Sequence, residues 1–103
     1  MRELRIIEVK SEIGAGTRGS SLGSDAIKIA ALDFGSRFFK QHKITEIPNE
    51  NHLLLESSGN AHAKRISGVL TMAERIADEV CKTLQSKEFP IILSGDHSCS
   101  AGT

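Results

Sequence analysis

The sequence has no net charge, no long apolar run and very little cysteine, and each shortage excludes a class of protein. Thirteen Lys and Arg balance thirteen Asp and Glu over 103 residues, so the basic excess of a dedicated nucleic-acid binder is missing. No stretch approaches the roughly 18 to 20 consecutive apolar residues that a membrane span requires, so no membrane partner is expected. The opening MRELRIIEVKSEIGAG carries charges through its first ten residues and has no apolar h-region, unlike a signal peptide. Two cysteines, Cys81 and Cys99, do not amount to a disulfide framework and suit a reducing cytoplasm. There is no internal repeat and no low-complexity tract. What is present is an ordinary globular mixture, 39% hydrophobic and 25% charged, with enough chain for one small domain or part of a larger one. A chain this size buries roughly 60 to 70% of the surface its unfolded form exposes. That supports a fold, but leaves little room for a deep multi-ligand site beside a substrate pocket.

Apolar patterning orders the chain. Leu4-Arg5-Ile6-Ile7-Glu8-Val9 is short and β-branched and reads as a strand. The Gly/Ser-rich residues 14–23 cannot be regular structure. Ser24 suits an N-cap with Asp25 in the first turn, and Ile27, Ala31, Phe34 and Phe38 recur at helical spacing with Arg37 and Lys40 closing the run, so residues 24–40 read as a helix. A short alternating run over 44–47, closed by Pro48, reads as a second strand. Leu53-Leu54-Leu55 is too short to classify. Ile66, Val69, Leu70, Ala73, Ile76, Ala77, Val80 and Leu84 form one stripe of a long amphipathic helix over about 62–86, with Met72 also assigned to the core. Residues 89–94 read as a strand buried on both faces, with Pro90 tolerated at its start. Alternation of strand and helix predicts an α/β layer structure with a parallel sheet. The strands 4–9, 44–47 and 89–94 are expected to be parallel neighbours. In such sheets ligands gather at the carboxyl ends of the strands, where both the glycine-rich loop and Gly95-Asp96-His97-Ser98 would lie.

Gly14, Gly16 and Gly19 satisfy G-x-G-x-x-G, the dinucleotide fingerprint, and Glu46 could pose as its ribose-binding acid. The spacing counts against it, because extra residues separate the glycines from both the strand and the helix that should receive the pyrophosphate. Gly14 to Gly19 is also a near miss to a P-loop, without the lysine that reaches the phosphates. A flexible loop whose glycines permit positive φ is the default. At the other segment, a strand fixes His97, Gly95 permits close backbone approach, and a neutral imidazole binds a borderline metal well. A lone strand-end histidine is nonetheless more often structural, since a metal needs several convergent ligands. His42, His52 and His62 form no ligand pair and read as surface residues. A Cys99 nucleophile beside His97 would lack an orienting third group.

The run Glu88-Phe89-Pro90-Ile91-Ile92-Leu93-Ser94-Gly95-Asp96-His97-Ser98 resembles the hallmark of the arginase (ureohydrolase) family, an apolar strand ending in Gly-Gly-Asp-His-Ser. Ser94 replaces the first glycine of the pair. Gly14-Ala15-Gly16-Thr17-Arg18-Gly19, followed by Gly23 and a helix, is similar to that family's N-terminal glycine loop. The resemblance implies a three-layer α/β/α fold with a parallel sheet, arginase-like, of which residues 1–103 form the N-terminal portion. It implies a homo-oligomeric enzyme with two manganese ions per subunit that hydrolyses a small guanidino substrate. The nucleophile would be a bridging hydroxide, available because two divalent cations depress the pKa of bound water. Carried over, His97 would be a terminal ligand of one manganese. Asp96 and Gly95 would support it, and Arg18 with Gly19 would shape the rim. No residue here is carried over as catalytic. The family's Asp-x-His-x-Asp and Asp-x-Asp motifs do not occur in these residues, so the chain resembles the N-terminal third of such an enzyme and is expected to be inactive alone. The alternative is a non-catalytic α/β fragment or an interaction module.

Overall fold

Strand β1, Leu4–Val9, is the centre of the sheet. It pairs in parallel with β2, Lys43–Glu46, on one side and β3, Phe89–Ser94, on the other, giving the order β2-β1-β3. Ile6 stands opposite both Ile44 and Ile91, and Ile7 opposite both Thr45 and Ile92. The computed structural model describes residues 3–15, 19–55 and 66–103; Arg18 and His62, and residues 62–65 of the predicted long helix, lie outside the described residues. At the amino end of the sheet, the Arg5 guanidinium donates to both carboxylate oxygens of Glu88, at 3.2 and 3.0 Å, and to Thr45 Oγ1 at 3.0 Å. One planar fork thereby links all three strands.

Side chains alternate across a strand, and β1 uses both faces. Ile7 and Val9 pack with Met72, Ile76 and Val80 of helix α3, Ile66–Gln85, together with Ile13, Ile47 and Cys99. Glu8 lies on the opposite face, where Ser24 Oγ of helix α1, Gly23–Asp33, donates to its carboxylate at 3.0 Å and Lys28 of the same helix pairs with it. The helices therefore cover opposite faces of a parallel sheet, which is the three-layer α/β/α arrangement expected from the alternation of elements.

Several expectations are corrected in detail. The helix predicted over 24–40 is two helices, α1 and the short α2, Phe38–Gln41. Gly35 separates them at φ 74°: its N–H donates to Leu32 O at 3.0 Å and that of Ser36 to Ala31 O at 2.8 Å, a Schellman stop that favours glycine. Arg37 consequently precedes α2 instead of closing a longer helix. Ser24 is no N-cap, because α1 already begins at Gly23 behind a 3₁₀ turn at Ser20–Leu22. The second strand is one residue earlier than expected, and Ile47 just beyond it is buried, with its N–H donating to Glu8 O at 2.9 Å. Asn51–Leu55 is a 3₁₀ helix. Strand β3 is half-buried, not buried on both faces, because it forms an edge of the described sheet. Met72, Ile76 and Val80 confirm the core face of α3, but Ile66, Leu70 and Leu84 are more than half exposed. These three share one flank of the helix at 100° per residue, and the stripe is wider than the face that meets the described sheet.

Candidate functional site

The carboxyl ends of β1 and β3 are stitched together by backbone. Gly95 N–H donates to Val9 O at 2.8 Å and Asp96 N–H to Ser11 O at 3.2 Å. Here a glycine is required: a Cβ on residue 95 would stand 2.3 Å from Ser11 O, far inside contact distance. Asp96, extended at φ −105° and ψ 171°, then caps the 3₁₀ helix His97–Gly102. One of its oxygens, Oδ1, accepts from Ser98 N–H at 2.9 Å and from the Ser98 hydroxyl. The other, Oδ2, accepts from the N–H groups of Gly14 at 3.0 Å and Ala15 at 3.4 Å. Asp96 is thus a bridge between the strand end and the glycine loop.

His97 opens the 3₁₀ helix and is exposed. Its carbonyl accepts from Ser100 Oγ at 2.9 Å, while among the described residues no side chain hydrogen-bonds its ring. The backbone places this imidazole just beyond the carboxyl end of β3, where it is exposed. No second ligand joins it: among the described residues, no three His, Cys, Asp or Glu side chains come together in a way that could hold a metal ion. His42 lies against the Phe38 ring, centroids 4.8 Å apart. His52 Nε2 is 3.3 Å from Glu50 and its side chain is 62% exposed. Neither meets His97 in a metal-ligand group. The described residues on their own therefore do not form a metal site, and His97 stands among them as a single exposed imidazole.

Cys99 is 2% exposed. Burial, reinforced by the Asp96 carboxylate, pushes its thiol pKa upward. A protonated, buried thiol is a poor nucleophile at neutral pH, and Cys99 serves as core.

The structure adds a residue that sequence reasoning missed. Glu12 is fully buried, and its Oε2 accepts from the N–H groups of Gly19 and Ser21, the latter at 3.0 Å. Its own N–H donates to Asn51 Oδ1 at 2.8 Å, and Asn51 Nδ2 donates to Lys10 O at 2.7 Å. The N–H groups of Gly14, Ala15, Gly19 and Ser21, which a phosphate would need, are all engaged by the protein's own carboxylates. Together with the 3₁₀ turn intervening before α1, this counts against the dinucleotide and P-loop readings at the described part of the loop. A charged residue in a loop gives no sign in sequence that it points inward, and nothing short of the fold reveals Glu12's partners.

Known proteins resemble this chain in sequence and in fold. The profile of the arginase family matches residues 2–103. The arginase of Bacillus subtilis (strain 168) is 28% identical, over 99% of this chain and 34% of its own length. The arginase of Bacillus caldovelox is also 28% identical, over 100% of this chain and 35% of its own. Its native crystal structure at pH 5.6 superposes with a TM-score of 0.79 at 29% identity, covering 100% of this chain and 35% of that one. A Bacillus subtilis arginase structure gives 0.72 at 26% identity, covering 99% and 35%. The chain spans about a third of the length of the relatives it matches.

Proposed function

The chain belongs to the arginase family, and from that premise we propose that it is the N-terminal third of a manganese-dependent ureohydrolase. The enzyme would hydrolyse the guanidino group of arginine or a related compound and release urea. The observation that carries the reading is His97. It stands in a Gly-Asp-His-Ser turn at the carboxyl end of a parallel strand, exposed and with its ring not hydrogen-bonded among the described residues. An imidazole so placed can ligate a divalent cation without first breaking an internal bond.

The residues of this chain do the local work. Gly95 lets the two strand ends meet, and Asp96 fixes the backbone on either side of His97 by accepting from Ser98 and from the glycine loop. Gly19 would shape the rim, and so would Arg18, which lies outside the described residues. The remaining ligands and the groups that read the substrate's amino-acid end would come from the two thirds that the relatives possess beyond the matched part. The 103 residues alone are therefore inactive, and the complete enzyme is a homo-oligomer acting in the cytoplasm. Among the described residues no helix is long and apolar enough to cross a membrane.

The test compares three proteins for urea release from arginine and agmatine with added manganese: the 103-residue chain, a full-length enzyme carrying it, and the full-length His97→Ala variant. The expected result is turnover by the full-length enzyme only, with less bound manganese in the variant. Metal-dependent turnover by the short chain would refute the assignment of the missing ligands, and an unaltered variant would refute the role of His97.

A further inference from the structure

We propose that Glu12 is a positioning residue, which acts on the site through the backbone of Gly19 and Ser21 and touches neither metal nor substrate. Burying a carboxylate costs free energy that only good hydrogen bonds offset. Glu12 is fully buried, yet the groups it serves belong to the surface: Gly19 is exposed and Ser21 half-buried. Gly19 and Ser21 lie toward the surface, so their bonds to Oε2 do more than satisfy two donors of the core. What they supply is a fixed position for an otherwise glycine-rich segment. A carboxylate held in place by a second set of bonds is suited to this. Here Asn51 grips the Glu12 backbone N–H, and Asn51 is itself tied to Lys10 O.

The placement relates this anchor to His97. The same connection that carries Glu12 continues into Gly14 and Ala15, whose N–H groups bind Asp96, the neighbour of His97. Two carboxylates therefore fasten the connection between β1 and α1, one to the strand end that bears the histidine and the other to Gly19 and Ser21. The inference rests on the proposed function for its catalytic consequence: in the ureohydrolase, Glu12 sets the rim that receives substrate. Its loss should weaken substrate binding and leave the metal and the chemical step in place.

Two measurements test this with Glu12→Gln, which keeps the volume and removes the charge, and Glu12→Asp, which keeps the charge. The first is amide hydrogen exchange on the 103-residue chain. In Glu12→Gln, Gly19 and Ser21 should exchange at least about tenfold faster, the factor equivalent to one charge-assisted hydrogen bond, while Ile7 and Val9 of β1 are unaltered. The second is steady-state kinetics in the full-length enzyme: KM should rise with kcat and bound manganese within about twofold, and Glu12→Asp should recover part of the loss. Unaltered exchange at Gly19 and Ser21 would overturn the anchor. A fall in kcat with loss of manganese, or an unaltered KM, would overturn positioning of the rim. Lack of urea release by the unsubstituted full-length enzyme would count against the proposed function, and the exchange measurement would still decide the anchor.

Discussion

Replacing Asp96 by Asn separates the carboxylate's charge and acceptor capacity from its shape. Asp96 accepts from donors on both sides, Gly14 and Ala15 on Oδ2 and Ser98 on Oδ1. The Ser98 hydroxyl can rotate, but the three backbone N–H groups cannot become acceptors. An asparagine therefore has no good orientation. With its oxygen toward the loop, its NH₂ faces Ser98 N–H; flipped, the NH₂ faces Gly14 and Ala15. At least one bond to a charged acceptor is lost and a donor is set against a donor. A hydrogen bond to a charged group contributes about 1.5 to 3 kcal/mol. Gly14 and Ala15 are exposed, so water recovers part of that if the amide turns toward Ser98.

The expected cost of Asp96→Asn is accordingly about 1.5 to 3 kcal/mol, and the assay is urea unfolding of the 103-residue chain followed by circular dichroism. The midpoint should fall with an unaltered slope, which shows a stability change and not a change of denatured state. Ser98→Ala is the control: it removes the hydroxyl but leaves every N–H donor its carboxylate, and should cost no more than about 1.5 kcal/mol. A cost for Asp96→Asn below about 0.5 kcal/mol would refute the argument that this carboxylate joins the strand end to the loop.

Three further outcomes concern the core and the two cysteines. Ile76 is fully buried between α3 and the sheet, so Ile76→Ala should lower unfolding free energy by about 2 to 5 kcal/mol; a near-neutral result would show that this face is not packed. Cys81 is exposed and Cys99 buried, so a thiol reagent at neutral pH should modify one cysteine quickly and the other only on unfolding. The raised Cys99 pKa adds a pH dependence. Above the ordinary thiol value of 9.0 the unfolded chain loses a proton that the folded chain retains, so the unfolding free energy should decline as pH rises past that point. Cys99→Ala should flatten this part of the profile, and an equal decline in the variant would assign it elsewhere.

Much of the layer order is legible without coordinates, because β-branched runs such as Leu4–Val9 and Phe89–Ser94 announce themselves locally. The errors come from features that periodicity cannot see. Ile27, Ala31, Phe34 and Phe38 keep helical phase straight through a helix stop, and only Gly35 marks the break. Phe34 is 90% exposed, so its place in the pattern is coincidental. Ser24 looks like a cap because its chemistry suits one, yet its hydroxyl serves Glu8. A glutamate in a strand reads as a solvent-facing residue until a helix is placed over it. Likewise, His97 is visible from its motif, whereas the partners of Asp96 in the glycine loop are 81 and 82 residues away in sequence and belong to tertiary structure.

Two carboxylates in the segments that follow β1 and β3, Glu12 and Asp96, also bear on how a cation would be held. Anionic ligands offset the dehydration of a divalent cation, and Asp96 and Glu12 carry carboxylates in these two segments. Both are already engaged: Asp96 by donors on each of its oxygens, and Glu12 by two backbone N–H groups on Oε2. Recruiting Asp96 to a metal would compete with bonds that fix the backbone beside His97, and recruiting Glu12 would compete with those that hold Gly19 and Ser21. Their charge serves the geometry of the backbone, and the side chain this segment leaves exposed is the His97 imidazole. Among the described residues no three His, Cys, Asp or Glu side chains gather to hold a cation, so under the proposed function the anionic ligands would lie outside them. This agrees with a segment whose Gly95 and Asp96 are arranged to hold one ring at the end of one strand.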